Sequence, residues 1–188
     1  MPVVILALLA SVDPYGPWTV GTSLCIDGVE SEASQADGIE AFSAVYVRAS
    51  VSRALSRILS ASLSVANASH EFAHGEDEIP MGSVEFLPVT AMLQYRPLPG
   101  RGFEPRIGAG ACAVVFWEKS GSLDSLDLPA CVSPAIELGL DWNLSQRLLL
   151  GLGARWTWLD TGIENGGERL TDLSMDVLEL SLGIGTRL

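Results

Sequence analysis

Residues 178–188 read LELSLGIGTRL, and this stretch decides the fold. Leu178, Leu180, Leu182, Ile184 and Leu188 fall on one side of an extended chain. Glu179, Ser181, Gly183, Gly185 and Arg187 fall on the other. A strict period of two is the signature of a strand with two unlike faces. Working back from it, the segment at about 146–159 repeats the pattern, with Leu148, Leu150, Leu152, Ala154, Trp156 and Trp158 opposite Arg147, Gly151, Gly153, Arg155 and Thr157. The segment at about 131–142 sets Val132, Ile136, Leu138, Leu140 and Trp142 against Ser133, Ala135, Glu137, Gly139 and Asp141. Segments at about 103–117, 84–96 and 57–68 alternate in the same way, and fainter ones lie at about 39–50 and 17–27. The expectation is eight antiparallel strands.

The polar face decides which side is the interior. A soluble barrel exposes a face rich in Lys, Glu and Thr. Here that face holds Gly, Ser, Ala and isolated charges, and the whole chain has one lysine, Lys119. Small residues with single opposite charges suit the crowded inside of a narrow tube, and large aliphatics with Trp suit lipid. The mean hydropathy is +0.32, yet no run reaches the 18 or so apolar residues of a spanning helix. The fold expected is therefore all-β: an eight-stranded antiparallel transmembrane β-barrel over residues 17–188, in a bacterial outer membrane.

The connections alternate in length. Short turns are expected near Val51–Ser56, Pro97–Gly102 and Asn143–Ser145, and long acidic loops near 28–38, 69–83, 118–130 and 160–172. Short periplasmic turns and longer outer loops are the habit of outer-membrane barrels. Aromatics sort by depth as well. Trp18, Tyr95, Phe103 and Trp142 lie toward the short-turn ends, and Trp117, Trp156 and Trp158 toward the long-loop ends, as two interfacial belts require. Residues 1–11, with an apolar run from Val3 to Ala10 and no basic start, are read as a truncated or atypical signal peptide.

Charge and cysteine content exclude several functions. A net charge of −12 argues against nucleic-acid binding. Three cysteines without a CxxC pair and two histidines argue against a zinc site or a disulfide framework, so neither metal nor cofactor is expected.

Several segments also resemble the outer membrane protein W family. Phe86–Pro97 (FLPVTAMLQYRP) is similar to that family's Leu-Pro-Pro-Thr-Leu-x-x-Gln-Tyr stretch. Phe103–Ala113 (FEPRIGAGACA) resembles its Phe-x-Pro-Tyr-x-Gly-Ala-Gly strand, and Leu138–Thr161 its Gly-x-Asp-Tyr hairpin. Family members usually end in Phe with an aromatic two residues earlier, places held here by Leu188 and Thr186. The resemblance implies a narrow barrel whose hydrophobic lumen passes small apolar molecules, inserted by the barrel-assembly machinery and surrounded by membrane lipid.

The lumen-facing residues sort by height. Phe86, Val114, Phe116 and Leu159 are expected to form an apolar upper lumen, and with Met92 to make up the apolar, solute-binding lumen surface. Arg106, Glu137, Arg155 and Glu179 are expected to form a charge layer, with Arg96, Glu104, Asp141, Arg147 and Arg187 toward the short turns. Three readings follow. The first is a pore or carrier for small hydrophobic molecules, with lateral release above the charge layer. The second is a non-conducting structural or adhesion barrel that works through acidic outer loops. The third is a lipid-modifying enzyme using His70 or His74 beside Ser69. The absence of a G-x-S-x-G motif and the acidic setting SHEFAHGEDE favour incidental histidines in an exposed loop, and no catalytic residue is expected.

Overall fold

The computed structural model describes residues 18–31, 39–74, 79–100, 102–125, 128–165 and 168–188. The expected leader at residues 1–11 lies outside them. The described strands are β1 (Trp18–Ser31), β2 (Ile39–Ala41), β3 (Val45–Ala54), β4 (Leu59–Ala66), β5 (Ala68–His74), β6 (Ile79–Tyr95), β7 (Phe103–Lys119), β8 (Cys131–Asn143), β9 (Leu148–Asn165) and β10 (Glu168–Arg187). They form an eight-stranded antiparallel closed barrel, because β2 with β3, and β4 with β5, are the two halves of single wall strands. Closure runs through β1, which pairs with both β10 and β3, and through the β6–β7 ladder. Among the described residues every wall strand is laddered to a neighbour on each side over at least part of its length, which is what hydrocarbon demands of backbone amides and carbonyls.

The two faces are divided as the alternation predicts. Val132 is 74% exposed and Leu138 59%, on the outside, whereas Thr90 at 1% and Asp141 at 2% point into the tube. Trp18, Tyr95, Phe103 and Trp142 are exposed on the outer wall, as are Trp117 and Trp158. Phe103 stacks on Trp142 across β7 and β8, with ring centroids 5.4 Å apart. Both faces follow from a pleat that sends successive side chains to opposite sides.

Two of the four expected long loops, 69–83 and 160–172, are mostly strand, whereas the connection expected at 118–130 stands at 120–130 and that at 28–38 loses only its first residues to β1. β5 and β6 leave only residues 75–78 between them, and β9 and β10 only 166–167. The second of these carries its own hairpin signal, Asn165 followed by two glycines and then Glu168. By sequence, acidic residues at 160–172 point to a loop because they are poor lipid-facing residues. They are compatible with a wall that continues above the membrane. The short turns fall at 55–58, 96–102 and 144–147, so the first lies a few residues later than its expected place. Two wall strands are interrupted near the outer end, at residues 42–44 and at Asn67.

Candidate functional site

The lower lumen is filled by one connected set of charged side chains. Glu137 on β8 is its centre. One carboxylate oxygen accepts from Arg106 Nε and Gln94 Nε2, both at 3.0 Å, and the other accepts from Arg155 Nη2 at 2.9 Å. Arg155 also donates to Thr90 Oγ1 at 3.3 Å and stands 4.0 Å from Glu179. Glu179 is ion-paired with Arg48 and accepts from the Tyr46 hydroxyl at 2.6 Å. Below Glu137, Arg106 pairs with Asp141, which lies 3.2 Å from Arg96. Arg96 reaches Glu104 at 3.6 Å, and Arg187 Nη2 donates to Glu104 at 3.1 Å.

Local sequence explains why these long side chains fit an eight-stranded tube. On β8 the residue between Glu137 and Asp141 on the lumen face is Gly139, and a Cβ there would collide with the Arg106 guanidinium. The arginine therefore lies flat on bare backbone while it bridges the two carboxylates. Across the lumen, Ser23, Ser50, Ser62 and Ser64 leave a void of about 100 Å³ beside the network, a polar space suited to ordered water. Buried charges persist in low dielectric only when paired and hydrogen-bonded, and here every carboxylate has at least two partners.

The upper lumen is different in kind. Phe86, Val114, Phe116 and Leu159 line one cavity with Val29, His70, Phe72, Val84, Leu128, Met175 and Val177. Phe86 and Phe116 are in tilted contact, centroids 6.1 Å apart. Met92 does not line the cavity. It is buried beneath it, in a cluster with Cys112, Val114, Ala135, Leu159 and Met175, and it packs on the bare backbone of Gly110. The cavity is only about 40 Å³. Pockets that hold drug-sized ligands run to about 300 Å³ or more, so the cup with its side chains as they stand is too small for such a ligand.

His70 is the main departure from the sequence reading. It is not in an exposed loop. It sits on β5, 5% exposed, facing the lumen. Its Nε2 is 3.3 Å from Asp27 Oδ2, its Nδ1 is 2.7 Å from the Phe42 carbonyl, and its ring stacks on Phe86 at 5.1 Å. Asp27 in turn accepts from the Ala44 amide at 2.9 Å. The pair thus satisfies the backbone at the break between β2 and β3, whose own ladder is interrupted there. The period of two would have found it. Ala66, Ala68, His70 and Phe72 alternate inward through the Asn67 break, but the acidic residues after His70 mask the strand. His74 belongs to β5, and its side chain lies outside the described residues.

Tyr46 and Arg48 carry no clear signal in the sequence, because their strand alternates weakly, and Gln94 reads as neutral filler. Arg147 is exposed in its turn and takes no part in the charge network, since the reversal of the chain at 144–147 points it away from the lumen.

Among the described residues the wall has a seam where β1 passes β2. The β1–β3 ladder ends at Ile26 opposite Val45, followed by the Asp27 amide bonded to the Ala44 carbonyl at 3.0 Å. β1 continues to pair with β10 as far as Ser31. Among the described residues no ladder joins β1 to β2, and the lumen-facing residue beside this seam is Val29.

Comparisons with known proteins agree with this architecture. The sequence profile of the OmpW family matches residues 23–187. No curated protein matches the chain by sequence. Among solved structures, OprG from Pseudomonas aeruginosa superposes with a TM-score of 0.70 at 19% identity, over 92% of this chain and 96% of that one. AlkL, determined in lipid bilayers by solid-state NMR, gives 0.69 at 20% identity, over 92% and 90%. Outer membrane protein W of E. coli gives 0.64 at 17%, over 92% and 98%.

Proposed function

Because this chain belongs to the OmpW family of outer-membrane barrels, we propose that it carries small hydrophobic molecules across the outer leaflet and releases them sideways into the bilayer. The observation that supports this is the stacking of an apolar cup on a closed charged layer. Phe86, Phe116, Val114 and Leu159 offer a greasy solute a site below the outer rim. Straight passage is opposed by Arg106, Glu137, Arg155 and Glu179, which a solute would have to part and leave unpaired in low dielectric. The seam between β1 and β2 lies at the height of the cup and supplies the sideways route.

The test is uptake of a small apolar fluorophore by intact cells whose outer leaflet is lipopolysaccharide. Expression of the barrel raises the entry rate, and Phe116→Trp, which fills the cup, removes most of the gain. A folded barrel at the surface that leaves entry unchanged overturns the reading. That result would favour the second one, a non-conducting structural or adhesion barrel, for which the small cavity of about 40 Å³ and the acidic outer end speak. Refolded protein in planar bilayers separates the readings further. Small openings blocked by the apolar solute mark a through-going pore, and cellular uptake without conductance marks lateral release.

A further inference from the structure

The end of the barrel away from the cup carries a surface that the transport reading does not use. The turns at 55–58 and 144–147 are built alike. In the first, the Leu55 and Ser56 amides donate to the Leu59 carbonyl at 2.9 and 3.1 Å, and Ser56 Oγ accepts from the Ile58 and Leu59 amides at 3.3 and 3.1 Å. In the other, the Leu144 and Ser145 amides donate to the Leu148 carbonyl at 3.0 and 3.1 Å, and Ser145 Oγ accepts from the Arg147 and Leu148 amides at 3.2 and 2.9 Å. Each turn satisfies its own backbone, and each leaves an arginine exposed beside exposed leucine: Arg57 by Leu55, and Arg147 by Leu144 and Leu148.

The two turns lie on one arc of the rim. Arg147 O accepts from the Arg187 amide, Leu188 N donates to Trp18 O, and Trp18 pairs with Arg53 on β3. The order round the rim is therefore Arg147, the end of β10, Trp18, Arg53 and Arg57. With strands about 4.8 Å apart this arc is about 20 Å long. Arg53 points outward with Trp18 and lies 5.2 Å above its ring. Residues 18–24, 50–60, 143–151 and 183–188 contain no Asp or Glu.

From this arrangement we infer that the arc binds the headgroups of anionic glycerophospholipids in the inner leaflet. Cations that alternate with exposed Leu and Trp match the boundary between phosphate and acyl chain. A soluble polyanion would match the arginines and leave the leucines in water. The placement also opposes the acidic outer end, so one molecule meets two leaflets with opposite charge.

Refolded barrel in uncharged micelles is titrated with phosphatidylglycerol or phosphatidylcholine of the same acyl chains, and bound lipids are counted by native mass spectrometry. The wild type holds phosphatidylglycerol in preference, and each of Arg53→Gln, Arg57→Gln and Arg147→Gln lowers that preference about fivefold. Glu71→Gln and Asp160→Gln at the opposite end leave it unchanged. Equal binding of the two lipids by wild type overturns the inference. So does a preference that survives in the triple variant or, should that variant misfold, in Arg57→Gln/Arg147→Gln, whose residues sit on exposed turns. Displacement of the lipid by an equal concentration of inorganic phosphate also overturns it, by revealing a site for any small anion.

Discussion

The upper and lower halves of this lumen are walled by the same strands, with the same inward period, and are closed by opposite means. Above, Phe86 and Phe116 meet across β6 and β7, and contact alone fills the space. Below, Glu137 holds Arg106 and Arg155 with directional bonds. Dispersion contacts are individually weak and re-form after side chains shift. A buried ion pair tolerates little movement, because a charge left alone in low dielectric is costly. The difference teaches where the tube can breathe: the cup is the yielding half and the charged layer the rigid one.

The strongest way to break this contrast is Glu137→Ala. It leaves two arginines without their shared partner, and breaking a buried pair costs about 3–5 kcal/mol. The urea midpoint of the refolded barrel in vesicles falls accordingly, and water gains a path that appears as conductance. An unchanged midpoint would mean that the lower layer is not held by its pairs. Phe116→Ala comes next. A fully buried Phe→Ala costs about 3–5 kcal/mol, and this half-buried ring about 2. Binding of a small apolar solute, read by calorimetry, strengthens because the cup is larger, and conductance stays at the wild-type level.

His70→Ala sharpens the boundary between the halves. It removes the bonds to Asp27 and the Phe42 carbonyl, worth about 1–2 kcal/mol together. Amide hydrogen exchange at residues 42–44 speeds up, while exchange at Gly151 and Gly153 beside the charge network does not. Faster exchange in both places would show the two halves to be one cooperative unit. The smallest effect is Gly139→Ala. The new methyl pushes Arg106 off the wall, at about 1 kcal/mol. Combined with Arg106→Ala the steric part of that cost disappears, which separates crowding from lost pairing.

Much of the barrel was readable in residue order, for a reason visible in residues 178–188. A wall strand that faces lipid on one side and a narrow lumen on the other must alternate at every step, so Leu182 and Gly183 report their surroundings without reference to any other strand. The reading weakened where that constraint lifts. Toward the outer rim acidic residues crowd the sequence, so β5, with the outer parts of β9 and β10, reads as loop although Ala68 and His70 stay buried on the lumen side. It weakened again at Tyr46 and Arg48, whose strand has small neighbours and little contrast.

The sequence by itself determined the face of the residues in the strongly alternating strands, the number of crossings, the aromatic belts and the division into apolar and charged heights, because each depends on local alternation against lipid. Only the tertiary structure decided the partners. That Glu179 answers both Arg48 and Arg155, that His70 meets Asp27, and that Arg53, Arg57 and Arg147 share one arc depends on which strands are neighbours and on their stagger once the sheet closes. Closure brings residues more than a hundred positions apart into contact, and no local pattern encodes that distance.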